Sequence, residues 1–121
     1  MVLVDSSVWI RHFRERDPVL VQLLAESEVV QCDVVVGELM LGSGISPAIR
    51  TLLDALPSIE VVTSSDCLGF IDDHDELSRL GIGWADLQVL ASCRAARVRL
   101  YTHDRALRAA AGRARVQLVG R

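Results

Sequence analysis

The sequence predicts an α/β fold, a mostly parallel central sheet covered by helices on both faces, and three observations predict it. The stretches at residues 1–4, 29–32, 59–62, 98–102 and 116–119 are short and predominantly apolar, and read as runs rather than strict alternation, as in strands buried on both faces. Between them lie segments of helical spacing whose capping and stop residues stand in register. The length, 121 residues, suits a single domain, because about 100–150 residues close one core. Residues 1–121 are therefore expected to form one domain, with no repeat and no linker.

Each element has its own local reason. The run at 1–4 is too short for a helix and reads as the first strand. Ser6 or Ser7 then caps a helix carrying Trp9, Ile10 and Phe13. Asp17-Pro18, a capping residue before a proline at the first helical position, opens a second helix over 19–25. After the strand at 29–32, Asp33 caps a helix over 34–41 that Gly42 and Gly44 stop. Ser46-Pro47 repeats the cap and proline signal for a helix to residue 56, and 59–62 is the next strand. From Ser65 a helix bearing Leu68, Ile71, Leu77 and Leu80 ends at Gly81. Another starts near Trp84 to Asp86 and runs through Val89, Leu90 and Cys93. A strand at 98–102, a short helix at 104–110 and a last strand at 116–119 complete the chain.

Composition excludes several functions. Half the residues are apolar and 24% are charged, the balance of a packed globular protein. All 13 basic residues are arginine, so P-loop and Schiff-base chemistries, which need a lysine, are excluded. Three cysteines without C-x-x-C spacing argue against a zinc site and predict free thiols in a reducing compartment. No apolar run approaches the roughly 18 residues of a membrane span, and the opening MVLVDSSVW lacks a basic leader, so a cytoplasmic location is expected. Residues 1–87 hold five arginines against fifteen acids, and residues 88–121 eight arginines against Asp104 alone. Such a basic third can meet phosphates or pair with the acidic remainder.

Four carboxylates stand where a structural role does not fully account for them. Sites in doubly wound sheets collect outside the carboxyl ends of the strands, and Asp5 and Asp104 follow two of the apolar runs. Taken singly, each also reads as a helix cap. Glu38 is the only charged residue between Val34 and Ile49, and a carboxylate carried into apolar surroundings costs several kcal/mol unless a cation or hydrogen bonds offset it. Its ordinary alternative is a surface glutamate on a narrow polar side. Asp86 shares a helix stripe with Val89, Leu90 and Cys93, with an N-cap as its ordinary alternative. Convergence of the four would require a cation between them, and oxygen-only ligands select a hard ion such as Mg²⁺ or Mn²⁺. Such an ion serves phosphodiester hydrolysis. An aspartate-nucleophile phosphatase is disfavoured, since it wants an acid where Ser7 stands and a lysine.

The segments VDSSVWI, VVVGELMLG, GIGWADLQVLAS and LYTHD, in this order, resemble PIN-domain proteins. Within these they resemble the VapC toxins, the ribonuclease halves of bacterial VapBC toxin–antitoxin pairs, over essentially the whole chain. The resemblance implies a PIN-like three-layer α/β/α domain acting as an Mg²⁺- or Mn²⁺-dependent endoribonuclease. It implies that Asp5, Glu38, Asp86 and Asp104 form the acidic site, with Asp5, Asp86 and Asp104 holding metal. Ser7 and Thr102 take the hydroxyl positions that support the first-strand and fourth-strand aspartates. The implied partners are an RNA substrate, a VapB-type antitoxin and a second copy of the chain, with no membrane. Gln88 and Ser92 replace an apolar residue and an alanine of many relatives, and no fifth acid follows Asp104, which leaves a second metal position short of a ligand. The rival is a catalytically inactive PIN-like module that binds RNA or regulates, and metal-dependent cleavage separates the two.

Among the remaining residues, His103 is expected on the surface, pointing away from Thr102 and Asp104 by strand alternation. His12 and His74 are expected on polar helix faces without acid–base partners. Trp9 and Trp84 are assigned to packing. The arginines at 94, 97, 99, 105 and 108 can track an RNA backbone or form a solvated face.

Overall fold

A computed structural model describes residues 1–42 and 44–120. In chain order the elements are β1 (Val2–Val4), α1 (Ser6–Arg14), α2 (Pro18–Ala25), β2 (Val29–Val30), α3 (Asp33–Leu41), α4 (Pro47–Ala55), α5 (Ser64–Asp73), a 3-10 turn (Asp75–Arg79), α6 (Trp84–Ala96), β3 (Arg99–Tyr101) and α7 (Arg105–Ala114). The sheet is parallel with β1 in the centre, in the order β2-β1-β3. Val2 aligns with Val29 on one side and Arg99 on the other, and Val4 aligns with Tyr101.

The layering follows from β1. Successive strand side chains point to opposite faces, and Val2, Leu3 and Val4 are all fully buried. Both faces of the sheet are therefore covered, which makes three layers, α/β/α. Helix α1 packs on α3, α3 on α6, and α6 on α5 and α7. The cap and proline signals hold where expected: the Asp17 carboxylate accepts from the Leu20 N–H and the Ser46 hydroxyl from the Ile49 N–H.

The strand expected at 59–62 does not form, the chain pairing just before it in a parallel bridge of Gln31 with Ser58, and the strand expected at 116–119 shrinks to a single parallel bridge of Leu100 with Leu118. At the first, the Gln31 N–H donates to Pro57 and the Ile59 N–H to Gln31, after which residues 59–62 leave the sheet partly exposed. Ser92 takes up a backbone donor there. Its buried hydroxyl donates to the Gln88 carbonyl at 2.6 Å and accepts the Val62 N–H at 3.1 Å, a donor that the sheet leaves free. At the second bridge, the Leu100 N–H donates to Gln117 and the Val119 N–H to Leu100, so only residues flanking 118 are paired. The helix expected from Ser65 to Leu80 breaks at His74, whose φ of −135° is not helical. Asp5, not Ser6 or Ser7, is the N-cap of α1, and Cys32, not Asp33, that of α3.

The chain leaves β1 toward β2 on one side, while β3 and the bridge beyond it lie on the other. The carboxyl ends of β1 and β3 thus flank the topological switch point, where parallel sheets open a crevice.

Candidate active site

Asp5 directly follows β1 and is 3% exposed. Its Oδ2 accepts two hydroxyls, Ser7 Oγ and Thr102 Oγ1, each at 2.7 Å. Thr102 sits just beyond β3, so this pair of bonds ties the two strand ends together across the switch point. Both hydroxyls also accept a backbone N–H: His103 donates to Ser7 Oγ at 3.1 Å and Asp104 to Thr102 Oγ1 at 3.0 Å. The result is a carboxylate with one oxygen saturated and the other, Oδ1, buried without any hydrogen-bond partner.

Glu38 enters from the middle of α3, between the buried Val35, Val36 and Leu39. Its Oε1 is likewise buried and unpaired, which excludes the fully solvated surface glutamate. Burial, and then the charges of Asp5 and Asp86, raise its pKa above the ordinary carboxylate value, with the Ser6 hydroxyl opposing. Asp86 lies in the first turn of α6, three residues past the N-cap Gly83, so it is not itself the N-cap. Its carboxylate accepts from the Gly83 N–H, while burial and the charges of Asp5 and Asp104 raise its pKa. Asp104 is the N-cap of α7, its Oδ1 accepting the Leu107 N–H at 2.9 Å, and it is exposed. Its capping role and its place beside Asp86 coexist, because the cap uses one oxygen only.

All six residues that the sequence singles out therefore gather at the carboxyl ends of β1 and β3. Three acids feel one another through space, and two buried oxygens lack donors. Among the described residues no three Asp, Glu, His or Cys side chains close on a common point as a finished metal cage. The donor set nonetheless has the chemistry of a hard-cation site: it is oxygen only, it is crowded with like charge, and it keeps desolvated oxygens free of protein donors.

Sequence reasoning missed Asp17 and Tyr101. Asp17 is 8% exposed and, besides capping α2, accepts the Tyr101 hydroxyl on both oxygens and lies 3.1 Å from His103 Nε2. His103 is consequently not a free surface histidine. The local signal, Asp before Pro, discloses the cap and nothing of the partners 84 and 86 residues away. His12 also has a partner, accepting the Asp17 N–H at its Nδ1. Trp9 is 3% exposed and packed as expected, but Trp84 is 44% exposed, against its assignment to packing.

Comparison with known proteins agrees with this architecture. Residues 2–113 match the PIN domain family. Over 120 residues the chain is 37% identical to the ribonuclease VapC32 of Mycobacterium tuberculosis, covering 98% of this chain and 96% of that protein. Among solved structures, VapBC-1 from nontypeable Haemophilus influenzae superposes with a TM-score of 0.72 at 19% identity, over 98% of this chain and 97% of that one. VapBC2 from Rickettsia felis, bound to a DNA fragment from its promoter, gives a TM-score of 0.70 at 18% identity, over 98% of both chains. At those identities the two structures speak for the fold alone. The chain belongs to the PIN domain family, and within it to the VapC ribonucleases.

Proposed function

We propose that this chain is a divalent-metal-dependent endoribonuclease, the toxin of a VapBC-type toxin–antitoxin pair, with Mg²⁺ or Mn²⁺ held by Asp5, Asp86 and Asp104. The observation that carries the proposal is Asp5: two hydroxyls saturate Oδ2 and leave a buried Oδ1 with no donor. Protein interiors rarely leave a carboxylate oxygen so, and a cation is the partner that suits it.

A bound divalent ion supplies the electrophile, lowering the pKa of a coordinated water and stabilising charge on a phosphoryl oxygen. The residues of the chain then divide the work. Ser7 and Thr102 hold the Asp5 carboxylate through Oδ2 and leave Oδ1 free to meet the ion. Glu38, whose pKa burial and neighbouring acids raise, is the carboxylate suited to take a proton from the attacking water at Oε1. The Gly83 N–H partly offsets the rise in the Asp86 pKa, and Asp104 is oriented by the Leu107 N–H.

The names of the relatives support the biological reading: ribonuclease for the VapC32 protein, and VapBC assemblies for the structural neighbours. On this reading a VapB-type antitoxin silences the chain, which works as a homodimer on RNA in the cytoplasm. Among the described residues no helix is long and apolar enough to cross a membrane.

The test is cleavage of RNA by the purified chain, freed of any partner, in Mg²⁺, in Mn²⁺ and in EDTA. Cleavage should require the ion, and Asp5→Asn or Asp86→Asn should reduce it by orders of magnitude while circular dichroism stays native. Undiminished cutting in EDTA would refute the metal site, and RNA binding without any cleavage would favour the inactive module.

A further inference from the structure

One buried carboxylate, Asp17, takes no part in the reaction proposed for the acids. Besides capping α2, it accepts the Tyr101 hydroxyl on both oxygens and lies 3.1 Å from His103 Nε2, whose N–H can donate to it. Tyr101 and His103 are the two chain neighbours of Thr102, the residue whose hydroxyl donates to Asp5. Their rings meet edge to face, with centroids 5.3 Å apart. Side chains alternate along a strand, and here the odd residues reach Asp17 on one side while Thr102 reaches Asp5 on the other.

The main chain closes the arrangement. The Tyr101 carbonyl accepts the Asp5 N–H at 2.9 Å, and the His103 N–H donates to Ser7 Oγ at 3.1 Å. Ser7 and Thr102 are in turn the two hydroxyl donors to Asp5 Oδ2, and the Asp104 N–H donates to Thr102 Oγ1. Residues 101, 102 and 103 each hold the acidic site by a backbone group or a hydroxyl. A single carboxylate anchors 101 and 103 from behind.

That anchor is itself fixed from outside the site. The Leu20 N–H donates to Asp17 Oδ1 at 3.0 Å, and the Asp17 N–H donates to His12 Nδ1 at 3.0 Å. Asp17 therefore takes its place from the start of α2 and the side of α1, not from the acids whose supports it steadies. Groups that orient metal ligands from behind are worth about 10–100-fold in metal affinity, which is the scale of effect such an anchor can have.

We propose that Asp17 and His103 are positioning residues: their contact fixes, through Thr102 and Ser7, where the Asp5 carboxylate stands. Its consequence for the ion rests on reading the four acids as the metal site.

The test compares the full chain with its His103→Ala, His103→Gln and Thr102→Val variants, at a temperature where thermal melts show each one folded. Calorimetric titration with Mn²⁺ should show His103→Ala binding about tenfold more weakly. His103→Gln, whose side-chain amide can present a donor to Asp17, should restore most of the affinity. In the Thr102→Val background the His103→Ala step should cost clearly less, because one of its two routes to Asp5 is already cut. A merely structural role would add equally in both backgrounds. Amide hydrogen exchange followed by NMR gives a readout that needs no metal: the amides at positions 103 and 104 should exchange faster in His103→Ala, while those of β1 keep their protection. Unchanged Mn²⁺ affinity in folded His103→Ala would overturn the proposal. So would a loss that His103→Gln does not repair, or one that Thr102→Val leaves undiminished. If the wild type itself binds no Mn²⁺, the metal reading fails and exchange alone decides the positioning role. Faster exchange at 103 and 104 then upholds it, and unchanged exchange overturns it.

Discussion

The Tyr101 hydroxyl donates to both carboxylate oxygens of Asp17, at 3.0 and 2.8 Å, and so fastens the start of α2 to the end of β3. Burial, and then the bond to Asp17, push the Tyr101 pKa up to about 12. Burial alone would also raise Asp17, but hydrogen bonds from Leu20, Tyr101 and His103 outweigh it and hold its pKa below the ordinary value. A carboxylate with a depressed folded pKa contributes stability that is present above the unfolded value, about 3.9, and lost as pH falls through the folded one. Asp17→Asn should therefore destabilise the fold at neutral pH and flatten the acid limb of its stability profile. Tyr101→Phe should cost about 1–3 kcal/mol, because it strips a donor from a buried charge. Urea unfolding from pH 7 down to pH 3 measures both effects, and an acid limb unchanged in Asp17→Asn would show that the carboxylate contributes nothing.

Thr102 yields a sharper division between shape and hydrogen bonding. Its hydroxyl donates to Asp5 and accepts from Asp104, so it supports two acids at once. Thr102→Val keeps the volume but leaves Asp5 Oδ2 with Ser7 as its only hydroxyl donor, and the Asp104 N–H without its acceptor. RNA cleavage should fall at least tenfold, and Thr102→Ser should recover most of it. Equal activity of the valine variant would show that Asp5 needs no support from β3.

Where the chain has left the sheet at residues 59–62, Ser92 accepts the Val62 N–H. Without its hydroxyl the Val62 N–H loses its acceptor, so Ser92→Ala should destabilise by about 1 kcal/mol. Denaturant midpoints for the two proteins measure the difference. No change would mean that water takes over the Val62 donor.

What the sequence reveals and what it hides divide along local and non-local lines. Capping signals at Asp17 and Ser46 are local, and they locate α2 and α4 correctly. The burial of Val2, Leu3 and Val4 is legible because a run with no polar residue cannot alternate between core and water. Strand pairing is not local. Residues 59–62 and 116–119 are apolar enough for strands, yet whether a partner edge continues alongside them depends on the whole fold: 59–62 follow a bridge at Ser58 without pairing as a strand, and 116–119 form a single bridge at Leu118. The same boundary runs through the site. Acids after apolar runs mark Asp5 and Asp104, and an isolated charge marks Glu38. The tie from Asp17 to Tyr101 and His103 joins residues that only the folded sheet brings together, and Trp84 carries the same apolar flanks as a packed tryptophan.

Glu38 separates a site carboxylate from a structural one by the sign of a stability change. Its folded pKa is raised, by burial first and then by Asp5 and Asp86. For a carboxylate, a raised folded pKa means that the folded state binds protons more tightly than the unfolded one. The ionised group therefore destabilises the fold once the pH exceeds the unfolded value, about 4.3. Glu38→Gln removes that charge and should raise the melting temperature near neutral pH in EDTA, with the gap shrinking as pH falls toward 4. A divalent ion should stabilise the wild type by mass action and the variant less, because one of the crowded acids that favour the cation is gone. The gap should then narrow or reverse in excess Mg²⁺. Melts of both proteins in EDTA and in Mg²⁺, at pH 5 and pH 7.5, give the four differences required. A difference independent of metal would remove Glu38 from the ion's surroundings, and a lower melting temperature for Glu38→Gln in EDTA would contradict the repulsion itself.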